Sequence, residues 1–81
     1  MSHDSLTIYA QLGKRIAYLR AEKKLSQLQL SLNAKISKNY LSDLENGRRN
    51  PSLGILNRLA KALDVPLEEL FRGVVALDQL L

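Results

Sequence analysis

Apolar residues recur along this chain at helical intervals, separated by short polar stretches. Leu12, Ile16 and Leu19 fall at i, i+4 and i+7, and Lys23 and Lys24 follow where cations suit a helix C-terminus. This predicts a first helix over about residues 8–23. Ser26 with Gln29 three residues on forms a capping-box pattern, and Leu25 and Leu30 are placed as a hydrophobic staple. A short second helix therefore starts after Ser26. Eleven residues later the pattern returns: Ser37 can cap, Ile36 and Leu41 make the staple, and a third helix begins at Lys38. Only Ala34, Lys35 and Ile36 separate the two. Asn46-Gly47 ends the third helix, since glycine past the last turn is the usual left-handed stop. Ser52 caps a fourth helix running through Leu63, with Leu53, Leu56, Leu59, Ala60 and Leu63 on one face. Pro66 opens a fifth, with Glu68 and Glu69 in the first turn, where the helix dipole favours acids. After Gly73, Val74, Leu77 and Leu81 lie at i, i+3 and i+7 with Leu80 beside them. The expectation is an all-α domain of five helices over residues 8–72, a flexible segment 1–7, and a short apolar extension 73–81.

At 81 residues the chain holds one domain, 46% hydrophobic and 25% charged, a globular composition. It lacks cysteine and has one histidine, His3. Disulfides and thiolate sites are thereby ruled out, and a histidine-based metal site or a Ser-His-Asp triad is disfavoured. Glu68 and Glu69 are adjacent on a helix and cannot face one substrate. With neither a phosphate loop nor an activated nucleophile, the pattern is not that of an enzyme, and it calls for no metal or small-molecule cofactor. No run approaches the roughly 18 apolar residues of a membrane span, and the first residues do not read as a signal peptide. The default compartment is the cytoplasm. Four aromatic residues, 5%, are too few for a single-strand stacking platform.

Charge is uneven. Residues 1–63 hold eleven cations against four acids, a net +7, whereas residues 64–81 are net −3. A basic body with an acidic end suits a polyanion on one side and another contact on the other, although surface charges also fall unevenly by chance. The two capped helices with their tight turn sharpen the choice, because they read as a helix-turn-helix. On such a unit the second helix enters the major groove by its N-terminal residues. Leu41 and Leu44 point inward, leaving Lys38, Asn39, Tyr40, Ser42 and Asp43 outside. Lysine can donate to guanine O6 or N7, and asparagine can pair with adenine N6 and N7. Taken alone, this is equally the polar face of an ordinary surface helix.

The order and spacing of several segments resemble the phage Cro and repressor-type, or Xre, helix-turn-helix family over residues 12–71. They are Leu12-Gly13-Lys14-Arg15-Ile16, Leu25-Ser26-Gln27, Leu30, Ile36-Ser37, Tyr40-Leu41-Ser42, Leu44-Glu45-Asn46-Gly47, Asn50-Pro51-Ser52-Leu53 and Leu59-Ala60-Lys61-Ala62-Leu63. Within the family the chain looks most like restriction–modification controller proteins and small phage-type repressors. The resemblance implies a compact five-helix domain that binds double-stranded DNA as a homodimer on a palindromic operator. It implies base contacts from Lys38, Asn39, Tyr40 and Ser42, with the Tyr40 ring either on a thymine methyl or sugar or shielding the core. It implies phosphate contacts from Gln27, Ser37, Arg48, Arg49 and Asn50, and a structural ion pair between Arg15 and Glu45. Repression follows if the operator overlaps the promoter; RNA polymerase becomes a partner if the dimer sits upstream. The rival reading is an antitoxin or protein-interaction module of the same fold.

Three departures and one surface complete the picture. Lys35 stands where the family often has glycine; a left-handed backbone is costly for lysine, which implies a reshaped turn. Leu28 and Leu32 occupy positions that are usually polar, and contact with Leu6 and Ile8 would cover them; a protein-contact patch is the alternative. Asp43 would repel phosphate, and can instead accept from cytosine N4 or restrain Arg49. Leu70, with Val74, Leu77, Leu80 and Leu81, is the expected dimer interface; the alternative is that this tail folds back on its own helices.

Overall fold

Each of the four α-helices opens on a hydroxyl. The computed structural model describes residues 7–75, and in it Thr7, Ser26, Ser37 and Ser52 precede helices α1 (Ile8–Glu22), α2 (Gln27–Ala34), α3 (Lys38–Glu45) and α4 (Leu53–Leu63). The side-chain oxygen of each accepts from the backbone N–H three residues on, at 2.9–3.1 Å. These bonds satisfy donors that a helix start otherwise leaves orphaned. At α2 the capping box is complete, since the Ser26 N–H donates back to Gln29 Oε1 at 2.8 Å. The starts read from serine spacing stand where expected.

The expected fifth helix is instead a 3₁₀ segment, Leu67–Phe71, so the described residues form four α-helices and a 3₁₀ turn. Pro66 supplies no side-chain cap, and Gly73 at φ 79° turns the chain away after one and a half turns. In a 3₁₀ helix residues i and i+3 eclipse. Leu67 and Leu70 therefore lie together on the core side.

The core draws on every element: Leu12, Ile16 and Leu19 of α1, Leu30 and Ala34 of α2, Leu41 and Leu44 of α3, Leu56, Leu59, Ala60 and Leu63 of α4, and Leu70. α2 packs on α4 and α3, and the far end of α3 lies on α1. That last contact is very close. A Cβ on Gly13 would run into the Leu44 carbonyl oxygen and stand 2.7 Å from that of Glu45. Gly47, which ends α3 at φ 77°, likewise sits against the Ala10 backbone. Two glycines thus let the recognition unit seat on α1. Ser31, the polar residue buried as a whole among the described residues, donates to the Leu28 carbonyl at 2.8 Å.

The turn between α2 and α3 corrects the expectation of a reshaped backbone. Lys35 adopts φ 60°, ψ 45°, the left-handed conformation itself. Its N–H donates to the Leu32 carbonyl, and that of Ile36 to the Ser31 carbonyl at 3.0 Å. These bonds close the C-terminus of α2, and burial of Ile36 against the core offsets the roughly 1–2 kcal/mol that an L-residue loses there.

Candidate nucleic-acid interface

The N-terminus of α3 projects as expected. Ser37, Lys38 and Asn39 are exposed, and Tyr40 and Ser42 are half-buried. The Tyr40 ring packs on the core by one part and lies under the Arg49 guanidinium by another, 5.2 Å from its centroid. Of the two alternatives for this ring, shielding of the core is therefore met in part. Ser37 uses its oxygen to cap α3, which leaves the hydroxyl proton available for donation. Arg48, Arg49 and Asn50 are exposed in the loop after α3. Asp43 Oδ2 accepts from Arg49 Nη2 at 3.2 Å, and Oδ1 lies 3.6 Å from Arg48 Nη1. Restraint of Arg49, one of the two roles open to Asp43, is thus present.

The ion pair expected between Arg15 and Glu45 is not formed. Arg20 takes that place, donating from Nε to Glu45 Oε2 at 2.7 Å and from Nη2 to Oε1 at 3.0 Å. Its Nη1 donates to the Leu25 carbonyl at 2.9 Å, so one guanidinium ties α1 to both ends of the helix-turn-helix. The hydrogen bond to Glu45 raises the Arg20 pKa further above its ordinary value, against the opposing pull of burial. Arg15 instead reaches the 3₁₀ segment, donating to the Glu69 carbonyl at 2.8 Å and to Glu69 Oε1 at 3.1 Å. The signal was in the spacing. Arg20 lies four residues after Ile16 and seven after Gly13, on the stripe that faces α3, and Arg15 lies off it.

Gln27 joins the same network. Its Nε2 donates to Glu45 Oε1 at 2.9 Å, and the Glu45 side chain is only 6% exposed. The amide carries a second N–H, so this bond is compatible with a phosphate contact. Glu45, the last residue of α3, thereby links the first residue of α2 to the last turn of α1.

Two apolar expectations need correction. Leu70 is fully buried in its own core and is not available to a second chain. Leu28 and Leu32 are 51% and 66% exposed, so Ile8 does not cover them. Ile8 lies instead beside an apolar recess of about 230 Å³, lined also by Tyr9, Leu12, Pro51, Phe71 and Val74. Of the expected interface, Val74 is thus at this recess, and Leu77, Leu80 and Leu81 lie outside the described residues, as does Leu6. Sequence reasoning missed Gln11, whose side-chain amide donates to the Val75 carbonyl at 2.7 Å and accepts from its N–H at 2.8 Å.

Comparison with known proteins places this geometry in a family. Residues 16–70 match the helix-turn-helix family HTH_3. The chain is 47% identical over 53 residues to the immunity repressor protein of Bacillus phage phi105, covering 65% of this chain and 37% of the repressor. It therefore spans well under half of that relative. It is 35% identical over 68 residues to the control protein C.MunI of Mycoplasma sp, covering 83% of this chain and 92% of that protein. The crystal structure of the restriction-modification controller protein C.AhdI from Aeromonas hydrophila superposes with a TM-score of 0.77 at 38% identity, over 78% of this chain and 96% of that one. The capped α2–turn–α3 unit and these matches together show that the chain belongs to the Xre-type HTH_3 helix-turn-helix family.

Proposed function

We propose that this protein is a sequence-specific transcription regulator that binds double-stranded DNA as a homodimer on a palindromic operator. The observation that carries this reading is the exposed start of α3, with Lys38 and Asn39 free of the core and the arginine loop Arg48-Arg49 beside the same helix. Lys38, Asn39, Tyr40 and Ser42 read or flank bases. Gln27, Ser37, Arg48, Arg49 and Asn50 hold phosphates and set the register. The Arg20–Glu45–Gln27 network holds the two helices at a fixed angle and takes no part in chemistry. The likeness to C.MunI and C.AhdI, each matched over most of its length, favours a restriction–modification controller role within this class.

Selection of bound duplexes from a random pool tests the reading. The expected product is a two-fold consensus whose half-sites are centred about 34–36 Å apart, one helical turn. Recovery of duplexes without any shared sequence would overturn it.

A further inference from the structure

One carboxylate stands amid the cations of the proposed interface. Asp43 is on the outer face of α3, its side chain 35% exposed, with Arg48 at 3.6 Å and Arg49 at 3.2 Å. Arg49 is held from its other side by the Tyr40 ring. The loop is tied to the same residue through its backbone, since the Arg48 N–H donates to the Asp43 carbonyl at 2.9 Å. In the free protein, then, one carboxylate occupies both arginines that are offered to phosphates.

Exposed ion pairs of this kind are weak and exchange readily, and a phosphate is the stronger, bidentate partner. When the arginines move to phosphates, Asp43 loses both cations while the surrounding negative charge increases. An ionised carboxylate can only accept hydrogen bonds. In the major groove guanine offers N7 and O6 and thymine O4, all acceptors; the donors are the amino groups of cytosine and adenine. The adenine amino group is flanked by acceptors on both sides, its own N7 and the paired thymine O4, which face a carboxylate unfavourably, whereas cytosine N4 has an acceptor, the paired guanine O6, on one side only. Building on the DNA-binding reading above, we propose that Asp43 is a specificity gate: it holds Arg48 and Arg49 in the free protein and on the operator exchanges them for the N4 amino group of a cytosine. On a wrong sequence the freed carboxylate finds no donor. The arginines stay paired to it, and binding is weakened. Discrimination comes from this penalty as well as from the new contact.

The test compares wild type with Asp43→Asn, which keeps the shape and removes the charge. Asp64→Asn serves as control: it removes one acid from the C-cap of α4, where asparagine tolerates the left-handed backbone. Each protein is titrated against a random duplex and against the operator selected by wild type, over a range of salt, and each is put through the random-pool selection. Asp43→Asn is expected to bind random duplex about tenfold tighter than wild type, with a salt slope steeper by about 1 per protomer, because an extra phosphate is neutralised. It is also expected to relax the cytosine preference that wild type shows at one position in each half-site, because the amide can accept from cytosine N4 but pairs equally with adenine N6 and N7. Asp64→Asn is expected to change neither slope nor consensus. Equal gains from both variants, or a cytosine preference that is undiminished in Asp43→Asn, would overturn the gate while leaving the DNA-binding reading intact. A wild-type protein that selects no sequence would overturn both.

Discussion

Glu45 is the residue on which the helix-turn-helix hangs, because its nearly buried carboxylate accepts from Arg20 twice and from Gln27 once. Removing one partner from a buried pair leaves the other charge uncompensated, which is far more damaging than losing a surface pair. Arg20→Met is therefore expected to destabilise the domain by about 3 kcal/mol. Arg15→Met should cost only about 1 kcal/mol, since its partner Glu69 keeps Arg72 and is more exposed than Glu45, 26% against 6%. Urea melts of the two variants separate these values, and equal losses would show that the two arginines carry α3 together. The same residue marks a boundary of sequence reasoning. That a glutamate at the end of α3 pairs with an arginine of α1 was legible. Which arginine it chooses depends on the angular position of the apolar stripe relative to Gly13, and a matched motif does not encode that angle.

At the level of elements, helix starts were legible because each is a local device: a hydroxyl and an N–H three residues apart. Helix type and turn conformation were less so, since tertiary contacts decide them. Leu67 and Leu70 are drawn to one face and make the last element a 3₁₀ segment; Ile36, half-buried against the core beside Lys35, holds a lysine in a glycine conformation. Gly13 shows the same dependence. By propensity alone, Gly13→Ala should stabilise an interior helical position by about 1 kcal/mol. Here the added methyl meets the backbone of Leu44 and Glu45, so we expect a net loss of about 3 kcal/mol and weaker operator binding as α3 is pushed off α1. A thermal melt that rises instead would show that the two helices can separate freely. The 3₁₀ segment carries a pH dependence. Hydrogen bonding to Arg72, and the charges of Arg72 and Arg15, lower the Glu69 pKa from its ordinary 4.5. A lowered carboxylate pKa in the folded state contributes stability that is complete above the ordinary value and disappears as pH falls through the folded one. Wild type should thus exceed Glu69→Gln in stability at neutral pH and converge on it in acid below pH 4.5. Parallel curves from pH 7 to pH 3 would exclude an ionised Glu69 as the tie.

The whole molecule has a basic body and an acidic, apolar end, and the structure shows how the chain is led to that end. Gln11 grips the Val75 backbone on both its N–H and its carbonyl, as a neighbouring strand would, while Val74 sits at the recess lined by Tyr9 and Phe71. Ile8, Phe71 and Val75 remain exposed around it. The residues that follow include Leu77, Leu80 and Leu81, and burying each such side chain is worth about 1.5–3 kcal/mol. A palindromic operator requires a two-fold, self-complementary contact, and a net charge of −3 over residues 64–81 keeps that end off the DNA. With Leu70 committed to its own core, the two-fold contact of the proposed dimer is expected at this recess and the residues beyond it. The informative truncation accordingly starts after Val75, which keeps the Gln11 grip and the wall formed by Val74. Removal of residues 76–81 is expected to leave a folded domain that sediments as a monomer at micromolar concentration and binds each half-site independently, with weakened affinity for the full operator. A truncated protein that still sediments as a dimer would move the interface to another apolar surface, and the exposed pair Leu28 and Leu32 on α2 is where aspartate substitutions should then abolish it.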